Sequence, residues 1–293
     1  MAQQMPLQAV QVATPAAAGW RGLGWENGDT FVDVLMMRLS SLPVALAEAI
    51  RGRRLLKVIA GLANFDAVSV TKVARAAAAG GADLVDVACD PALVQAVAAA
   101  APGLPICVSA VEPELFPAAV AAGASVVEIG NYDSFYPEGR LFTAAEVLEL
   151  TRCTRALLPA VVLSVTVPHT LPLDQQEQLA IDLAAAGADL IQTEGGTSAR
   201  PFSAGSLGLI EKAAPTLAAA HGISRALQAA DAPLPVLCAS GLSAVTVPMA
   251  LAAGASGVGV GSAINRLEDE LAMVAVVRSL REAIRCAVLL PVA

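Results

Sequence analysis

The sequence predicts an α/β chain folded as a single (β/α)8 barrel with an extra helix in front of it. Three observations carry that expectation: one junction repeats four times in register, four further apolar segments alternate with it, and the glycine motifs crowd onto the last strands. Short β and α elements in strict alternation produce a parallel sheet.

The repeated junctions are Gly81–Ala88, Gly123–Gly130, Gly187–Glu194 and Gly254–Gly261, which align without gaps and each open with Gly-Ala after an alanine-rich run. Glycine enters the left-handed conformation without a Cβ clash, so each segment reads as helix stop, short turn and strand. Between them, Leu55–Ala60, Leu104–Ala110, Val161–Val167 and Leu234–Ser240 supply four more strands. Pro105, Pro159 and Pro235 stand at or just before the last three, where a missing N–H does no harm. Helices are predicted at Val68–Ala79, Pro91–Ala100, Glu114–Ala122, Ala144–Leu157, Leu173–Ala186, Leu207–Ala229, Ala244–Ala253 and Glu268–Arg285. An open doubly wound sheet would carry GxGxxG after its first strand, where this chain reads Ala60-Gly-Leu-Ala-Asn-Phe-Asp66. Late glycine motifs favour the barrel. Phe31–Arg51 is then one amphipathic helix closing the barrel floor, residues 1–30 a flexible arm, and 31–293 the barrel domain.

Composition narrows the partners. Hydrophobic residues make up 56% of the chain but aromatics only 3%, so the apolar content is largely alanine and suits close-packed α/β layers. No run reaches the roughly 18 charge-free residues of a membrane span; Asp33, Arg38, Pro43 and Glu48 interrupt the nearest one. A formal charge of −8 with scattered Lys and Arg leaves no footprint for nucleic acid or an anionic membrane. A phosphorylated small molecule is the expected partner, and a homo-oligomer is allowed. Cys89, Cys107, Cys153, Cys238 and Cys286 follow no paired pattern and read as reduced core thiols of a cytosol-like compartment.

Alternate residues of a barrel strand face inward, and function sits at the carboxyl ends. Taking the charged repeat position as inward aligns Asp86, Glu128, Gln192 and Gly259; two residues nearer the mouth come Ala88, Gly130, Glu194 and Gly261. The last strand thus shows glycine where its siblings show side chains. An emptied wall lets backbone N–H groups and a following helix N-terminus meet an anion. Ser240, Gly241, Gly259, Gly261 and Ser262 are the phosphate-binding candidates on that ground, the alternative being that these glycines serve tight packing.

Lys57 lies inside an apolar strand and must meet a carboxylate, a ligand or water. It is either a Schiff-base or substrate-binding lysine or the cation of a buried bridge to Asp86 or Glu128. Glu194 and His169, both at the mouth, are the other catalytic candidates; the alternative for Glu194 is a helix cap or loop-ordering carboxylate, and for His169 a structural histidine. Asp86, Glu128, Asn131, Gln192 and Thr197 are candidate substrate contacts. His and Cys show no metal-ligand spacing, so no transition-metal site is expected. The loop Asn131–Phe142 holds both tyrosines, Phe135 and Arg140, and reads as a lid or ligand wall, or else a subunit contact. Thr143-Ala-Ala-Glu146 is a capping box that ends it.

Seven strings now carry a resemblance: LLKVIAGLANFD (55–66), CVSAVEPELF (107–116), VEIGNYDSFY (127–136), LSVTVPHTLPLDQQ (163–176), IQTEGGTS (191–198), LIEKAAPTLAAA (209–220) and CASGLSAVTVPMALAAGASGVGVGSAINRL (238–267). Together they resemble the hypothetical chloroplast reading frame 23 family of cyanobacteria and plastids, over roughly Leu55 to Ile284. The resemblance implies an aldolase-type TIM barrel and a cyanobacterial cytosol or plastid stroma. It implies no activity and no catalytic residue.

Two classes of function stay open. One is a lyase- or isomerase-type enzyme acting on a small phosphorylated metabolite. The other is a non-catalytic protein that senses such a metabolite, or flavin mononucleotide (FMN), through the same corner. Lys57, Asp86, Glu128 and Glu194 converging on open space would support catalysis; their mutual burial would support the binder.

Overall fold

A computed structural model describes residues 31–196 and 199–289. The expected arm over 1–30 and the candidate Thr197 lie outside the described residues. Eight strands form a closed parallel barrel in chain order: β1 Leu55–Gly61, β2 Leu84–Ala88, β3 Ile106–Ala110, β4 Val126–Ile129, β5 Val162–Thr166, β6 Leu190–Gln192, β7 Val236–Ala239 and β8 Gly257–Val260. The barrel closes where Lys57 of β1 pairs with Gly259 of β8. All eight strands stand where the junction repeat and its interleaved partners put them.

The helices are α1 Phe31–Leu39, α2 Val44–Arg51, α3 Ala67–Gly80, α4 Pro91–Ala100, α5 Phe116–Ala121, α6 Ala144–Leu157, α7 Leu173–Ala185, α8 Gly205–Ala229, α9 Val247–Ala252, α10 Ser262–Asn265 and α11 Glu270–Leu289. Their starts carry their reasons in sequence. Asp66 accepts from the Val68 N–H ahead of α3, Asp90 from Leu93 ahead of α4, and Thr143 from Glu146 ahead of α6.

The leading segment differs from the expected single helix: it is two, α1 and α2, joined by a turn over Ser40–Pro43. Proline donates no backbone N–H and drives the residue before it out of the helical region, so Pro43 ends one helix and begins the next. The pair does close the floor. Leu35, Leu39, Leu42, Leu46 and Ile50 join the common core, each contributing about 1.5–3 kcal/mol if fully buried. Arg38 donates to Asp189 Oδ1 at 3.0 Å and to the Gly187 carbonyl at 3.2 Å, at the amino end of β6. Asp189 Oδ2 in turn takes Arg155 at 2.6 Å and the Leu163 N–H at 2.9 Å.

The thiols need one correction. Cys89, Cys107 and Cys238 are buried, but Cys153 and Cys286 are exposed on α6 and α11. Both sit on outward helix faces, beside Glu149 and Glu282 one turn earlier. No helix among the described residues is long and apolar enough to cross a membrane.

Candidate functional site

The barrel interior carries a charged tier. Lys57 Nζ of β1 lies 2.6 Å from Glu128 Oε2 of β4, 3.0 Å from Gln192 Oε1 of β6 and 3.5 Å from Asp86 Oδ2 of β2. Such contacts across the lumen require all four side chains to face inward, as the alternation predicts. Ser164 donates to Glu128 at 2.7 Å and Ser109 to Asp86 at 2.6 Å. Burial works against the Lys57 ammonium, but Asp86 and Glu128 outweigh it and hold its pKa above the usual lysine value. The amine is therefore an ammonium and no nucleophile in this state.

Above this tier a cavity of about 360 Å³ opens at the carboxyl ends of the strands. Asn131 and Gln192 line it, while Lys57, Asp86 and Glu128 do not. Asn131 takes up the left-handed conformation (φ 62°) and points Nδ2 at Ser109 (2.9 Å), Asp86 (3.1 Å) and Glu128 (3.3 Å). The expected substrate contacts thus divide: Asn131 and Gln192 reach the cavity, and the two carboxylates are spent on Lys57 beneath it.

Glu194, just past β6, lines the cavity and is 4% exposed. Its Oε1 accepts from the Tyr136 hydroxyl and from the His169 backbone N–H at 3.0 Å, and lies 3.0 Å from His169 Nδ1. Its Oε2 is buried without a hydrogen-bond partner. Burial pushes the Glu194 pKa up, with the His169 hydrogen bond opposing it, and that same bond to Glu194 raises the His169 pKa. The two candidates that sequence placed separately at the mouth are one coupled pair.

Asp133 joins them from the loop after β4. One ligand atom each of Asp133, His169 and Glu194 lies within 4.8 Å of the others. The expectation of no metal site rested on spacing along the chain, which does not register side chains brought together by three successive βα loops. Asp133 Oδ2 also accepts from Ser240 Oγ at 3.3 Å.

The β7–β8 corner lines the same cavity through Ser240, Gly241, Gly261 and Ser262. Ser240 (φ 76°) and Gly241 (φ 75°) are consecutive positive-φ residues. For the serine this costs of order 1–3 kcal/mol, which surrounding structure must hold in place. A Cβ on Gly196 would run into that backbone. Thr216 of α8 braces it further, donating to the Ala239 carbonyl at 2.6 Å. Gly259 is a correction. It does not line the cavity, and a Cβ there would stand 2.9 Å from Ala239 Cβ and 3.1 Å from Ile59 Cδ1, so this glycine serves packing. Gly261 does line the cavity, although a Cβ there would stand 3.1 Å from the Ile59 carbonyl oxygen, so it too packs closely on β1. Moreover α10 has four residues, too few for much summed dipole, so any anion must be met by individual N–H and hydroxyl groups.

The Asn131–Phe142 loop is a packed wall. Tyr132 and Phe142 are buried with ring centroids 4.4 Å apart, and Arg140 stacks 4.5 Å from the Phe142 centroid. Tyr136 packs edge-on against His169 at 5.0 Å. Sequence reading missed Asp133 and the bracing Thr216, which follow no period, and took Tyr136 only as one aromatic of a lid or ligand wall; Ser109, Ser164 and Thr166 were within reach by carrying the inward alternation onto β3 and β5.

A family profile described as "Protein of unknown function (DUF561)" matches residues 41–289. The "Uncharacterized protein ycf23" of Cyanophora paradoxa is 42% identical over 225 residues, covering 77% of this chain and 90% of that protein. Among solved structures, a 3-hexulose-6-phosphate synthase superposes with a TM-score of 0.53 at 18% identity, covering 78% of this chain and 99% of the synthase. The (S)-3-O-geranylgeranylglyceryl phosphate synthase of Thermoplasma acidophilum, solved with sn-glycerol-1-phosphate, gives 0.52 at 14% identity, with 83% and 99% covered. At these identities the likeness is one of fold.

Proposed function

This chain belongs to the DUF561 family of ycf23-type proteins, and we propose that it is an enzyme of lyase or isomerase type acting on a small phosphorylated metabolite. One observation carries the reading: a single cavity is lined both by the Ser240–Gly241 and Gly261–Ser262 corner and by Glu194. The corner takes the phosphate through backbone N–H groups and serine hydroxyls. Glu194, coupled to His169, handles the proton next to the substrate carbonyl. Asn131 and Gln192 present amide groups to the substrate while Lys57 stays as a fixed charge below. Two proteins of like fold are named for phosphorylated molecules, which supports the substrate class.

The test is a thermal-shift screen against phosphorylated sugars, nucleotides and FMN, followed by two variants with the best ligand. Saturation at about 100 times Kd adds roughly 2.7 kcal/mol of stability, a shift of a few degrees. Gly261→Ala, whose Cβ would stand 3.1 Å from the Ile59 carbonyl, should weaken binding. Glu194→Gln should bind and not turn over. Unchanged binding by the first, or turnover by the second, overturns the assignment.

The mutual burial of Lys57, Asp86 and Glu128 favours a second reading, a sensor that holds a phosphometabolite or FMN unconverted. Under it, phosphorus NMR of ligand with stoichiometric protein shows no new signal over hours.

A further inference from the structure

We propose that Asp133, His169 and Glu194 bind one divalent metal ion, of the class that accepts mixed oxygen and imidazole ligands, such as manganese, iron(II) or zinc. For what the ion does, the inference rests on the phosphorylated-substrate reading; for the binding itself it does not.

Three features converge on it. The ligand atoms come from the loops after β4, β5 and β6 and lie within 4.8 Å of one another, so a centre among them stands about 2.0–2.2 Å from each after small side-chain adjustments. Next, Glu194 Oε2 is a buried carboxylate oxygen without a hydrogen-bond partner, although Oε1 is held by Tyr136 and the His169 N–H. A buried anionic oxygen left without a donor is costly, and a metal ion satisfies it. Oriented ligands held by outer hydrogen bonds are what a metal site needs, and Ser240 supplies the same support to Asp133.

Charge supplies the third feature. The cavity is lined by Asp133 and Glu194 against Arg266, and Asp133 stands beside Ser240 of the phosphate corner. A phosphate monoester brings about −1.5 to −2 more at neutral pH. Without a cation, the phosphate would sit next to a carboxylate. With one, the ion lies between the carboxylates and the substrate, and its remaining coordination positions are open to a phosphate or carbonyl oxygen. In the loaded protein Glu194 and His169 then reach the substrate as ligands of a polarising ion, where the cation-free pair would reach it by proton transfer.

The test uses the full chain, stripped with a chelator and titrated with Mn²⁺ alone, read by electron paramagnetic resonance of free Mn²⁺. Wild type should bind one ion per chain. Asp133→Asn and His169→Asn should each weaken binding at least tenfold with circular dichroism unchanged, while Glu138→Gln, an exposed carboxyl on the same loop, should not. No binding by wild type, or equal binding by all variants, overturns the site. Glycerol phosphate is then titrated with and without Mn²⁺, and affinity should rise at least tenfold with the ion. An equal affinity overturns the bridging role. Mn²⁺ binding in a protein that no phosphorylated compound in the thermal screen stabilises leaves the metal site standing and removes the phosphometabolite reading.

Discussion

Lys57 shows what one buried charge demands of a barrel. Its ammonium, 1% exposed, is matched by Glu128 and Asp86, which keep their hydroxyl and amide donors but lose this buried countercharge if the lysine goes. Lys57→Met should therefore destabilise by about 3–5 kcal/mol in urea unfolding, and a second change, Glu128→Gln, should recover part of the loss. Full stability in the single variant would mean the bridge is not formed. A protonated amine does not add to a carbonyl, so borohydride with a carbonyl substrate should leave Lys57 unmodified, as peptide mass mapping would show. Thiol reactivity sorts by exposure in the same way: burial pushes the Cys89 thiol up to about 12, and Cys107 and Cys238 are sealed. A native-state disulfide reagent should label Cys153 and Cys286 first, the other three only on unfolding. Fast labelling of Cys107 would show that the lumen opens.

Among the elements, the floor is the one whose anchoring is concentrated. Asp189 is 1% exposed and takes Arg38 from α1, Arg155 from α6 and the Leu163 N–H of β5. Asp189→Asn should cost about 3 kcal/mol and speed amide exchange in α1 above all, because Arg38 ties that helix to Asp189. Uniform loosening would place the anchor elsewhere. At the opposite end, the β4 loop owes its shape to Tyr132 and Phe142 packing inward. That wall delivers Asp133 and Tyr136 to the two loops after it.

For the whole molecule, a formal charge of −8 opposes the approach of a phosphorylated ligand. Association of the cation-free protein with such a ligand should speed up as salt rises from about 10 to 150 mM, because screening weakens the repulsion. Stopped-flow traces that slow with salt would mean that a local positive field steers the ligand instead.

The glycine-alanine junction, alternation and capping signals are local, and the sequence by itself determined from them the eight strands, their order and the inward register of Asp86, Glu128 and Gln192. It also placed Glu194, His169 and the Ser240–Gly241 turn at the mouth, since strand ends are legible once the strands are. The break at Pro43 was a local signal too, left unread. Tertiary structure decided what local pattern cannot encode. Gly259 proved to be filled space because Ile59 and Ala239 press on it, and Lys57 was sealed under Asn131 and Gln192. The meeting of Asp133, His169 and Glu194 was invisible for the same reason: barrel closure brings together loops more than 20 residues apart, and no spacing along the chain records the distance between them.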